Sequence, residues 1–133
     1  MIQVDIRAQQ SLSGWMGTLV DYVRSGEPDL TNRQMALLLL VYLDEGPHTV
    51  RGIAQALRVS KPVVTRALNR LGALGYLRRE RDQRDKRNIY VVRTPEGAAF
   101  LEEFGQFVVG DHAGDNGERS THRLRAEGQV GQA

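Results

Sequence analysis

Between Val50 and Arg93 this 133-residue chain sets twelve Lys or Arg side chains against three acids. The bases are Arg51, Arg58, Lys61, Arg66, Arg70, Arg78, Arg79, Arg81, Arg84, Lys86, Arg87 and Arg93; the acids are Glu80, Asp82 and Asp85. The segment carries +9 in a chain whose total is +2, which leaves −7 for the remainder. Guanidinium groups at this density attract polyphosphate and release its counterions on contact. A basic run is often no more than a solvated face. The decision between the two readings rests on where these charges fall on the helices and loops that carry them.

Other chemistries find little support. With no cysteine there is no disulfide framework, no thiolate zinc site and no thiol switch. His48, His112 and His122 lack metal-site spacing, so no metal and no cofactor is expected. There is no nucleophile elbow or phosphate loop, and neither His48 nor Asp44-Glu45 has a convincing partner, so an enzyme is not expected. The longest apolar run, Met35 to Leu43, falls well short of the ~20 residues of a membrane span. The N-terminus has no basic stretch leading into an apolar one. These features suggest a cytoplasmic protein without a membrane partner. Length and composition, 41% hydrophobic and 26% charged, suggest one globular domain with a real core.

The periodicities supply the scaffold. Leu12, Trp15, Met16, Leu19, Val20 and Val23 form one helical stripe over residues 11–25, ending before Gly26 and Pro28. Thr31 caps a second helix that runs to about Asp44 and is apolar almost all round, as a central helix should be. Gly46-Pro47 breaks it. Thr49 caps a short third helix with Ile53, Ala54 and Leu57 inward. Arg58-Val59 makes a tight turn, and Ser60 caps a fourth helix in which Pro62 is tolerated in the first turn. Val64, Ala67, Leu68 and Leu71 are its inner face, with Gly72 and Gly75 at its end. Two extended stretches follow, about Tyr76–Glu80 and Asn88–Arg93, joined by the charged loop Arg81–Arg87. Thr94 and Pro95 open a last helix over 95–109, with Phe100, Leu101, Phe104, Phe107 and Val108 on its apolar face. Residues 111–133 are Gly-rich and polar, and are expected to form a flexible tail.

Two short helices joined by a tight turn make a helix-turn-helix, and a hairpin directly after the second makes it winged. The expected fold is mainly α with a small β-hairpin wing. On the fourth helix Lys61, Thr65, Arg66, Asn69 and Arg70 remain outside the apolar face. Arg suits guanine, Asn suits adenine, and Thr serves either. Arg84 or Arg87 at the hairpin tip suits a narrow minor groove. Asp82 and Asp85 would repel phosphate, so a role in holding neighbouring Arg side chains explains them better.

Several stretches then resemble the MarR family of winged helix-turn-helix transcriptional regulators. They are Leu30-Thr-Asn-Arg-Gln34, Ile53-Ala-Gln-Ala-Leu57 with Val59-Ser60, Val63 to Leu71, Gly75-Tyr-Leu-Arg-Arg79, Asp82-Gln-Arg-Asp-Lys-Arg87 and Thr94-Pro-Glu-Gly97. The wing stretch from Asp82 is the most specific. The resemblance covers a little over half the chain, Leu30 to Phe104. It implies a fourth helix reading the major groove and a wing touching the minor groove. It also implies a homodimer built through the first and last helices, and it leaves room for a small-molecule effector.

The expected function is a sequence-specific double-stranded DNA-binding transcriptional regulator, of repressor type. The expected DNA-binding residues are Arg51, Ser60, Lys61, Pro62, Thr65, Arg66, Asn69, Arg70, Arg84, Lys86 and Arg87. The expected dimer interface is Leu12, Trp15, Met16, Leu19, Phe104 and Phe107, because this apolar surface exceeds what one small core needs. The main alternative is an architectural or replication-associated DNA binder, which would show little base readout. Another is a winged helix turned to protein contact, which would have no use for a base-reading set.

Overall fold

The residue before each helix accounts for where that helix begins. In the computed structural model, which describes residues 2–110, Asp5 accepts from the Arg7 amide at 3.2 Å and opens α1 (Ile6–Ser25). The helix therefore starts five residues before the position expected from its apolar stripe. Short polar caps govern helix starts, and an apolar stripe does not report them. Gly26, at φ 73°, closes α1.

Thr31 and Gln34 exchange bonds reciprocally at 3.1 and 2.9 Å to open α2 (Asn32–Leu43), a capping box. A two-residue strand β1 (His48–Thr49) precedes α3 (Val50–Leu57). Then come α4 (Lys61–Ala73), β2 (Leu77–Arg81), β3 (Ile89–Arg93) and α5 (Pro95–Val109).

The described residues divide into two compact units: 2–27 with 104–110, and Pro28–Glu103. In the second unit α2 contributes Leu37, Leu38 and Val41 to a core shared with Ile53, Val64, Leu68, Leu71, Leu77 and Val91, all almost fully buried. The sheet is antiparallel in the order β1-β3-β2. Its two-residue edge strand is too short to leave a period-2 signature, so the sequence pattern suggests only a hairpin. The hairpin pairs Leu77 with Arg93 and Arg81 with Ile89. Gly72 lies inside α4, and Gly75 is its terminator. At φ 80° Gly75 lets Tyr76 N–H reach Leu71 O at 2.9 Å and its own N–H reach Gly72 O at 3.0 Å, a Schellman closure that favours glycine.

The wing is anchored at its base. The Tyr42 hydroxyl donates to Tyr76 O at 2.7 Å and accepts from Thr94 N–H at 2.9 Å. Thr94 Oγ1 donates to Gly75 O at 2.6 Å and accepts from Gly97 N–H at 3.0 Å. A Cβ on Gly97 would overlap the Tyr42 hydroxyl and the Tyr76 carbonyl. Arg93 donates to Val41 O at 3.0 Å and Asp44 O at 3.3 Å. It thus satisfies the C-terminal carbonyls of α2 and complements that helix's dipole. Tyr76 stacks on Phe100 at 4.5 Å.

In the first unit α1 buries little of its apolar stripe. Gly17, Thr18 and Tyr22 are buried. Thr18 Oγ1 reaches Gly14 O at 3.2 Å and Phe107 O at 3.4 Å, and Tyr22 meets Phe104 edge-on at 5.4 Å. The expected tail, 111–133, lies outside the described residues.

Candidate nucleic-acid interface

Arg58 holds the turn between α3 and α4 in the left-handed conformation, φ 55°, a cost of about 1–2 kcal/mol for a residue with a Cβ. Val59 N–H closes the turn on Ala54 O at 3.0 Å. Ser60 Oγ accepts from Val63 N–H at 3.4 Å and starts α4. With Val64, Ala67, Leu68 and Leu71 buried, the helical period leaves Lys61, Pro62, Thr65, Arg66, Asn69 and Arg70 exposed on the opposite face. No acid lies in the first turn of α4, so its positive dipole end is left uncompensated beside Lys61.

The wing tip is a polar loop tied by its own hydrogen bonds. Asp82 Oδ1 accepts from the Arg84 amide at 2.9 Å, and Tyr90 donates to Asp82 Oδ2 at 3.4 Å. Asp85 Oδ1 accepts from both the Arg87 amide and Arg87 Nε at 3.1 Å. Asp85 therefore holds an arginine, as its place among the bases suggests, while Asp82 holds the backbone instead. The Arg87 side chain and amide beside Asp85 keep its carboxyl below the usual carboxylate range. Arg51, on α3, lowers it further through its charge, which puts Arg51 within electrostatic reach of the tip.

The twelve bases are not equivalent. Arg78 is paired with Glu80 at 2.7 Å, Arg79 with Asn69 at 2.9 Å, and Arg87 with Asp85, while Arg93 caps α2. Arg51, Arg58, Lys61, Arg66, Arg70, Arg81, Arg84 and Lys86 make no side-chain hydrogen bond or ion pair among the described residues. The interface gathers Arg51, α4 and the wing within one unit. Arg79 is the residue the sequence pattern did not single out. The alternation of β2 could have found it, since Leu77 points inward and Arg79 shares its side of the strand.

The residues expected at a subunit interface divide. Leu12, Trp15, Met16 and Leu19 are all exposed, Trp15 by 47% and Met16 by 59%. Phe104 is buried against Tyr22, and Phe107 is half-buried. A cleft of about 510 Å³ lies between the end of α2 and β3, lined by Val41, Pro47, His48, Tyr90 and Arg93 among others. It includes none of the expected DNA-binding residues. Among the described residues there is no cluster of potential metal ligands, and no helix is long and apolar enough to cross a membrane.

The fold is shared with solved structures. Transcriptional regulator Tm0710 from Thermotoga maritima is 25% identical, with 96% of this chain and 89% of that chain covered at a TM-score of 0.61. A point mutant of MepR from S. aureus is 18% identical, with 98% and 99% covered at 0.67. A structure of reduced AbfR bound to DNA is 22% identical, with 95% and 85% covered at 0.59. No curated protein matches. The MarR family model matches residues 29–88, which runs from before α2 through the tip of the wing. Sequence match, capped helix-turn-helix and wing agree: residues 29–88 form a winged helix-turn-helix of the MarR family.

Proposed function

We propose that this protein is a sequence-specific repressor that binds double-stranded DNA as a homodimer, with α4 in the major groove and the wing tip at the minor groove. The observation that carries this reading is the outer face of α4. It holds Lys61, Thr65, Arg66 and Arg70 exposed and without side-chain partners among the described residues. Each of these side chains can bond a base edge or a phosphate, and Arg66 suits the guanine edge. Lys61 and Arg70 suit phosphate, and Ser60 and Pro62 set the helix start against the backbone. Arg84 and Lys86 extend the contact at the wing, with Arg87 held in place by Asp85. The DNA in the AbfR complex supports the same use of a similar fold. A cytoplasmic location fits such a target.

Dimerisation is supported by the apolar face of α1. Leu12, Trp15, Met16, Leu19, Val20 and Val23 lie exposed at helical spacing, an apolar stripe of the kind that marks a protein–protein contact. Two copies of α4 roughly 34 Å apart would read half-sites one helical turn apart, so the operator would be a pseudo-palindrome.

Selection of bound duplexes from a random pool, repeated across salt concentrations, tests the reading. The expected result is a pseudo-palindromic consensus with a steep salt dependence. Tight binding without a consensus would make the protein an architectural binder.

A further inference from the structure

Asn69 sits in the third turn of α4 and Arg79 at the middle of β2. Arg79 Nη2 lies 2.9 Å from Asn69 Oδ1. A guanidinium has five N–H donors and no acceptor. The end of the amide facing Arg79 must therefore be oxygen, and the NH2 is the end left free. We infer that Arg79 is a positioning residue that fixes Asn69 as a hydrogen-bond donor, so that α4 selects a guanine acceptor edge where Asn69 meets the DNA. The inference rests on the DNA reading above and deepens it.

Asparagine alone is the usual partner of adenine, because it offers one acceptor and one donor side by side. Here the acceptor is already engaged by a cation. A charge-assisted bond of this kind draws electron density from the carbonyl and makes the NH2 a better donor. The adenine amino group, itself a donor, would also have to approach the Arg79 guanidinium. Guanine N7 and O6 are both acceptors, and the same positive charge favours them. The strand holds Arg79 in place: Leu77, two residues earlier on the same side, is buried, and Arg79 pairs in register with the buried Val91. Both Asn69 and Arg79 are exposed, so substitutions at either leave the core untouched.

The test compares wild type, Arg79→Met and Asn69→Ala on duplexes that differ at one base pair. That pair is the one whose preference Asn69→Ala removes, and it is filled with guanine, 7-deazaguanine (which lacks the N7 acceptor) or adenine. Wild type should favour guanine over adenine there by roughly tenfold. The 7-deaza change should weaken wild type and leave Asn69→Ala unaffected. Arg79→Met should bring guanine and adenine within about twofold, with preferences at other positions intact. In the DNA-free protein, the Asn69 side-chain amide signals in a nitrogen-15 NMR spectrum should move in Arg79→Met. Unmoved signals would overturn the positioning role. A wild-type preference for adenine would overturn the donor assignment. So would an Arg79→Met protein weakened equally on every duplex, which would make Arg79 a phosphate contact. If the NMR signals move but wild type shows no duplex preference at all, the DNA reading has failed, and the base-edge inference falls with it while the pairing stands.

Discussion

Helix α4 hides its apolar side chains and shows its polar ones, whereas α1 leaves its apolar stripe exposed beside its polar residues. In α4, Val64, Ala67, Leu68 and Leu71 are buried and Lys61, Arg66 and Arg70 are exposed. In α1 the buried residues are Gly17, Thr18 and Tyr22, while Leu12, Trp15, Met16 and Val23 stand exposed. Both sequences carry an apolar stripe of helical period. Periodicity says that a stripe exists and leaves open what it faces. In α4 the stripe goes into the protomer's own core. In α1 Gly17, Thr18 and Tyr22 make the inner contact, and the apolar side chains of the stripe are left exposed.

Cutting into each stripe in turn gives the sharpest contrast. Leu68→Ala should lower unfolding stability by about 2–5 kcal/mol through the cavity it leaves, read by urea denaturation of a monomeric variant. Trp15→Ala should leave that monomer stability within about 0.5 kcal/mol. It should weaken self-association by about 2 kcal/mol or more, read by sedimentation equilibrium. Equal effects of the two substitutions on monomer stability would erase the contrast.

The polar side of α4 comes next. Arg66→Ala should cost about 1–3 kcal/mol on the preferred duplex and relax the preference at one base pair. Competition titration against a scrambled duplex measures it, and an unchanged ratio of the two affinities would remove Arg66 from base readout. Replacing Arg84 and Arg87 together by Ala should reduce the slope of log affinity against log salt by about 0.9 for each phosphate that is no longer neutralised. An unchanged slope would take the wing off the backbone.

The smallest effect should be that of acid on the wing. The folded carboxyl of Asp85 titrates below its unfolded value. Its contribution is therefore present above the usual carboxylate range and fades as pH falls through the folded value. An NMR titration of that carboxyl should give a midpoint below that of an unstructured aspartate, and Arg87→Ala should move it up.

The sequence made the second unit readable because its signals are local. Thr31, Thr49, Ser60 and Thr94 are each adjacent to the helix they start, and the β-prone run Ile89 to Val92 lies next to a charged turn. The observed wing strands differ from the expected ones by a residue or so at their ends. Some of what escaped was as local as those caps, and some was not. Asp5 starts α1 five residues before its expected position. β1 is two residues long. The Arg79–Asn69 bond joins a strand to a helix, and composition could not show that Arg93 belongs to the end of α2. The charge count marked the right region while overstating what it leaves unpaired, since four of its twelve bases are engaged within the protomer.

The joint at Thr94 decides where this chain can grow longer. One residue separates β3 from α5. Its amide, hydroxyl and neighbouring Gly97 are all held against Tyr42, Tyr76 and Gly75. An inserted residue there would move every one of those groups at once, with no slack loop to absorb the shift. Among the described residues, the bonds of the stretch between Asp82 and Asn88 stay within the hairpin, as in Asp82 N–H to Asn88 O at 3.0 Å and Asn88 N–H to Asp85 O at 2.9 Å, so added length at its tip would loop outward without moving the joint. Variation in chain length should therefore collect at the wing tip, and a reporter peptide spliced into the protein belongs there and not beside α5.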